Sequence, residues 1–280
     1  MKFTTITGAT MLELFNYQFM QKALVGGLAI AVITSLIGPF LVLRKQSLLG
    51  DGLAHLAFGG VALGFLIGWN PFIVALLVVV GGSFFVQRLI RKNIYGDAAI
   101  ALILSFGVGI GVIITGIFHG FTADLFNYLI GSILTLNSTD LTLILVVLLI
   151  MVVFISLYYQ KILFITFNEE LARLQQKDNA LVNFIFTLLV ALAVAVSIRA
   201  VGILLVSALL VLPTLIALKI SKSFRGTMVA AVTASVFAMV VGIFTSFGLN
   251  LPPSGMIVMT LFFLYFFASL KSLAGWMRRI

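Results

Sequence analysis

The sequence contains no cysteine, and charge is scarce: only 9% of its 280 residues are Asp, Glu, Lys or Arg. The missing thiols exclude disulfides, thiolate metal sites and thiol nucleophiles. A soluble domain carries about 25% charged residues, so the chain falls far short of what a water-facing surface requires. Also absent are a GxxxxGK[ST] phosphate loop, an HExxH zinc motif, a GxSxG nucleophile elbow and any Cys/His cluster. Any energy or hydrolysis that drives this chain must therefore come from elsewhere.

What is present is hydrocarbon. The chain is 62% hydrophobic with a mean hydropathy of +1.26. Apolar runs of about 18 residues or more recur along its length, each able to cross a hydrocarbon core of about 30 Å at about 1.5 Å per residue. The fold class expected is an all-α integral membrane protein, a polytopic bundle of eight or nine transmembrane helices in one domain, with no soluble domain left over. Nine spans are placed at 20–43, 48–69, 71–90, 97–118, 140–159, 180–198, 200–219, 226–247 and 255–273. The first 22 residues lack the charged cluster, apolar core and small-residue cleavage site of a signal peptide, so the first span is expected to direct insertion itself. Between the fourth and fifth spans, residues 121–135 are too short and polar to cross and read as a re-entrant or outer-surface helix.

The net charge of +9 does not point to nucleic acid, because the basic residues sit at the ends of apolar runs. Along an alternating nine-span path, fourteen of the seventeen Lys and Arg fall on one side, Arg44, Arg88, Lys161 and Arg225 among them. Lys and Arg accumulate in cytoplasmic loops. The N-terminus is therefore expected outside and the C-terminus in the cytoplasm. Merging or dropping one span would reverse part of that path. Small residues four apart, Gly60, Gly64 and Gly68 and again Gly107 and Gly111, suit close helix approach.

Eight acidic residues and two histidines remain to carry chemistry. In SLLGDGLAHLAFGGVALGFLIGW, Ser47 to Trp69, Asp51 and His55 stand four apart and so share one helix face. A carboxylate at the bilayer centre costs about 2.5–3.5 kcal/mol, and Asp with His is a ligand pair for a divalent cation. The structural alternatives are an Asp–His hydrogen bond that pins helices, or a helix cap by Asp51. His119 and Asp124 lie on the outer side and are candidates to line a cation entrance; an interfacial histidine and a helix cap are the respective alternatives. Asp97 and Asp140 read as helix caps and Arg199 as a short-loop anchor. The stretch FNEELARLQQKDN, 167–179, reads as a short cytoplasmic helix with Asn168 as cap, Glu169 and Glu170 in the first turn, and Leu171 and Leu174 as an apolar edge able to meet a soluble partner.

Taken together, VLRKQSLLGDGLAH at 42–55, GDAAIALILSFG at 96–107, ADLFNYLIGSIL at 123–134, FNEELARL at 167–174, VGILLVSALLVLPTLIA at 201–217 and LNLPPSGMIVM at 249–259 resemble the membrane permeases of bacterial ABC metal-uptake systems, importers of zinc, manganese and sometimes iron. The resemblance keeps the family's order over nearly the whole chain. It implies a type II ABC importer permease fold, a homodimer or paired permease in a bacterial cell membrane, cytoplasmic ATPase subunits and an extracytoplasmic metal-binding protein. It assigns Asp51 and His55 to the transported ion and 167–178, including Ala172, to the coupling helix. Pro213 matches the family and is expected to break or kink its span. Where manganese-type members tend to carry His three residues after the aspartate matching Asp124, this chain has Asn127, and the GDGLAH wording is closer to the zinc-type branch. Zinc is therefore the first expectation for the cargo, with manganese or iron as the alternative. No permanently bound cofactor is expected, and no enzymatic activity. The rivals are a secondary transporter driven by an ion gradient and an intramembrane metalloenzyme, the latter disfavoured by a single inward histidine without a nearby glutamate base.

Overall fold

The computed structural model describes residues 17–92, 94–117, 131, 133, 136–168, 171–172 and 177–277. Among these are nine long helices: α1 (Gln18–Leu43), α2 (Leu49–Ile67), α3 (Pro71–Arg91), α4 (Gly96–Ile117), α5 (Ser138–Phe167), α6 (Lys177–Val201), α7 (Ile203–Ile220), α8 (Phe224–Leu249) and α9 (Pro253–Met277). All nine are long and apolar enough to cross a membrane, and the chain is a multi-pass membrane protein.

Local chemistry sets the boundaries. Asn70 accepts hydrogen bonds from the amides of Phe72 and Ile73, with Pro71 in the first turn, so α3 starts there. Asn137 caps α5 through the Asp140 amide, and Ser223 caps α8 through the Gly226 amide. Asp140 therefore lies inside the first turn of α5 rather than at its cap, and Asp97 likewise falls within α4. Gly68, expected in a packing stripe, instead takes the left-handed conformation that closes α2 (φ 70°) and faces open space.

The largest departure from the expected spans is α5, which runs 30 residues against an expected end at 159. At about 1.5 Å per residue it is about 45 Å long, well beyond a core of about 30 Å. Lys161 interrupts the apolar run without ending the helix, because KILFITF resumes a helix-compatible pattern and a lysine can extend its ammonium toward the headgroups. Pro213 likewise does not break α7, which continues through it to Ile220.

Helices α1, α2 and α6 are the most buried. Helix α2 packs on α3, α4, α6 and α7; α1 packs on α5, α6, α7 and α8; α9 closes against α7 and α8. Glycines bring these axes together as the sequence suggested: Gly60 lies against Ala75, Gly64 against Pro71, and Gly107 against Leu56 and the His55 carbonyl. Gly38 of α1 presses directly on the Leu210 carbonyl of α7, leaving no room for a side chain. The outer helices turn large apolar residues outward, among them Leu77, Phe106, Ile113, Leu157 and Phe267. Such a surface suits lipid and not water.

Candidate functional site

The first turn of α2 meets the second turn of α7 at a small polar cluster. Asp51 sits where the helix dipole of α2 favours negative charge. Its Oδ1 accepts a hydrogen bond from the Ser207 hydroxyl of α7 at 3.0 Å. His55, one turn on, places Nε2 3.9 Å from the same oxygen, and the two side chains are 35% and 32% exposed. That separation is too long for a hydrogen bond, so neither a cap nor a direct Asp–His bond accounts for the pair. Two ligands about 2.1 Å from a common cation stand about 3.0–3.5 Å apart at bond angles near 90–110°. A shift of about half an ångström would let Asp51 and His55 share an ion.

Helix α4 holds this geometry from behind. A Cβ on Gly107 would stand 2.5 Å from the Leu56 Cα and 2.7 Å from the His55 carbonyl oxygen, so only glycine lets α4 lie this close to the histidine's backbone. Among the described residues no group of three or more His, Cys, Asp or Glu converges on one point. The cluster offers one carboxylate, one imidazole and one hydroxyl, an incomplete shell that water or a second chain must finish. Such a donor set is chemically suited to weak, reversible cation binding rather than to a tight cage.

Of the remaining expected residues, His119, Asp124, Asn127, Glu169, Glu170 and Leu174 lie outside the described residues. Asn168 accepts the Ala172 amide at 2.9 Å through its carbonyl, the bond expected of a residue opening a helical turn. Leu171 is exposed and Ala172 buried. Arg199, expected as a loop anchor, has defined partners: its Nε lies 3.0 Å from Asp140 Oδ1, and its guanidinium covers the Phe72 ring at 4.7 Å.

A second polar cluster went unnoticed in the sequence. Arg44, at the end of α1, donates to Thr166 Oγ1 (3.0 Å) and Asn183 Oδ1 (2.7 Å) and reaches the Ile162 carbonyl. Asn183 donates to Gln87 Oε1 at 2.9 Å, and Gln87 donates to Thr187. Arg44 thus joins α1 to α5 and α6, and Asn183 and Gln87 extend the network to α3. The cluster borders a cavity of about 270 Å³ whose wall includes Ala172, one of the residues expected in the coupling helix.

Comparison with known proteins agrees with this architecture. The profile of the ABC 3 transport family matches residues 16–272. A Thermotoga maritima protein described as a "Probable metal transport system membrane protein" is 32% identical over 250 residues, covering 89% of each chain. The Listeria monocytogenes manganese transport system membrane protein MntC is 28% identical over 261 residues, covering 92% of each. Among solved structures, a chain of PsaBC from Streptococcus pneumoniae in complex with Fab superposes with a TM-score of 0.79 at 25% identity, over 92% of this chain and 95% of that one.

Proposed function

This chain belongs to the ABC 3 transport family, and from that premise we propose that it is the membrane permease of an importer for a divalent transition metal, with Asp51 and His55 touching the ion in transit. The observation that carries the proposal is the half-exposed Asp51, His55 and Ser207 cluster inside an otherwise apolar bundle. A carboxylate and an imidazole on one intramembrane helix face are costly to bury, and a cation in transit would offset that cost.

The chain is a transport component and not an enzyme, so the driving energy is assigned to separate ATPase subunits. They would press on the segment at 167–178, and the Arg44 cluster beside Ala172 would pass that motion to four helices. The positive-inside distribution of Lys and Arg supports a cytoplasmic side for that segment. An extracytoplasmic binding protein would deliver the metal on the opposite side, near Asp124. A second permease chain facing the first would supply the ligands this cluster lacks, and alternating access would then release the ion inward.

Asn127, in place of a histidine, supports zinc as the cargo. The similarity to the Listeria manganese transport system membrane protein supports manganese as the second reading. The deciding experiment is uptake of radioactive zinc and manganese in cells lacking their own importers, with the chain alone, with its cognate ATPase, and with Asp51→Ala or His55→Ala. The expected result is ATPase-dependent uptake of one metal that falls at least tenfold in both variants. Uptake that needs no ATPase would favour the gradient-driven transporter, and uptake that survives both substitutions would remove the pair from the ion's path.

A further inference from the structure

A groove of about 830 Å³ opens on the flank of the bundle, with α1 as its floor and α5 and α8 as its walls. Its lining is graded along its length. Lys161 and Arg225 stand at one end beside Tyr159 and Gln160; Val152, Ile155, Leu36 and Val232 dominate the rest, with Ser156 and Thr233 among them, the Thr233 hydroxyl bonded to the Ala230 carbonyl of its own helix. The Arg225 guanidinium rests 5.4 Å over the Tyr159 ring, and Lys161 Nζ lies 6.0 Å from the centre of the Tyr158 ring. Both cations are exposed, no carboxylate lines the groove, and among the described residues no acidic side chain pairs with either.

We infer that this groove holds an anionic glycerophospholipid, its phosphate between Lys161 and Arg225 and one acyl chain along the apolar walls. Length supports the assignment. From Val152 to Lys161 the α5 wall rises about 13 Å at about 1.5 Å per residue, close to the 15 Å or so of one leaflet's hydrocarbon. The chemistry runs in the same order as a lipid, charge at the headgroup level and hydrocarbon inward. A free inorganic anion would leave the long apolar part unused. A second copy seated on a two-fold axis through the groove would set Lys161 and Arg225 against their own counterparts.

The test uses the purified full chain in nanodiscs containing trace spin-labelled phosphatidylglycerol or phosphatidylcholine, reading the motionally restricted fraction of each. Each basic group near an anionic lipid surface is worth a factor of about five, so wild type should retain phosphatidylglycerol at least roughly fivefold over phosphatidylcholine. Lys161→Gln with Arg225→Gln should abolish that preference. So should Val232→Trp, which fills the groove and keeps both cations. Absence of any preference, or its persistence in either variant, would overturn the inference, as would displacement of the lipid by millimolar inorganic phosphate. The chain has no native cysteine, so Val229→Cys on the groove wall reports a second copy directly: no disulfide-linked dimer is expected, and one forming in membranes would give the groove to a protein interface instead.

Discussion

At the scale of single residues, the Ser207 hydroxyl holds Asp51 by one hydrogen bond, and such a bond to a charged group contributes about 1.5–3 kcal/mol. Ser207→Ala should therefore raise the metal concentration needed for half-maximal uptake by roughly tenfold, with the maximal rate changed less. A concentration series of uptake checks this, and an unchanged midpoint would reduce Ser207 to a bystander. Arg44 makes the opposite kind of contribution, to the scaffold. Arg44→Ala strands Asn183 Oδ1 in a part-buried site and should cost about 1–3 kcal/mol, read as a lower melting temperature in detergent. Arg44→Lys should recover only part of it, because an ammonium cannot reproduce the guanidinium fork. Asp51 and His55 were legible in the sequence because carboxylates and imidazoles are rare in it. Ser207 was not, because hydroxyls within spans commonly bond to a carbonyl of their own helix, as those of Thr34 and Thr245 do here. Arg44 looked like a topology signal because its partners come from 122 and 139 residues away.

At the scale of helices, two glycines on α4 separate close packing from mere glycine content. Gly107→Ala would drive a methyl into α2 at Leu56. Overpacking of this kind costs about 1–3 kcal/mol, and here it also shifts the turn bearing His55, so both the melting temperature and metal uptake should fall. Gly109→Ala meets nothing within 4 Å and should leave both unchanged. Equal effects from the two would mean that α4 does not hold the site. The small-residue spacing of Gly60, Gly64, Gly107 and Gly111 announced this packing in advance. Gly68 shared the spacing but serves as a helix terminus, a distinction fixed by backbone conformation and invisible to composition. Hydropathy found all nine helices, yet it stopped α5 short at 159. A window that counts charge cannot tell a lysine that ends a helix from one that extends along it.

At the scale of the molecule, the distribution of Lys and Arg predicts which way the bundle faces, and the absence of native cysteine makes that orientation measurable. Trp69→Cys lies at the turn between α2 and α3, and Lys222→Cys at the turn between α7 and α8. In intact cells a membrane-impermeant maleimide should label the first and spare the second, and the reverse pattern would invert every assignment of side. Two of the helices that meet α6, α1 and α7, also cross each other at Gly38 and Leu210. A proline stands close to this crossing on each helix, Pro39 and Pro213. These prolines deny the carbonyls of Ser35 and Leu209 their usual helical partners, so each rod is most pliant close to where the two touch. At Gly38 the contact is made by the Leu210 carbonyl and the small Thr214 hydroxyl of α7, with no bulky side chain between the axes. The crossing has the form of a scissor pivot, with one blade ending at Arg44 and the other carrying Ser207, so a change of crossing angle there would alter the gape between the Arg44 end of one helix and the Ser207 turn of the other.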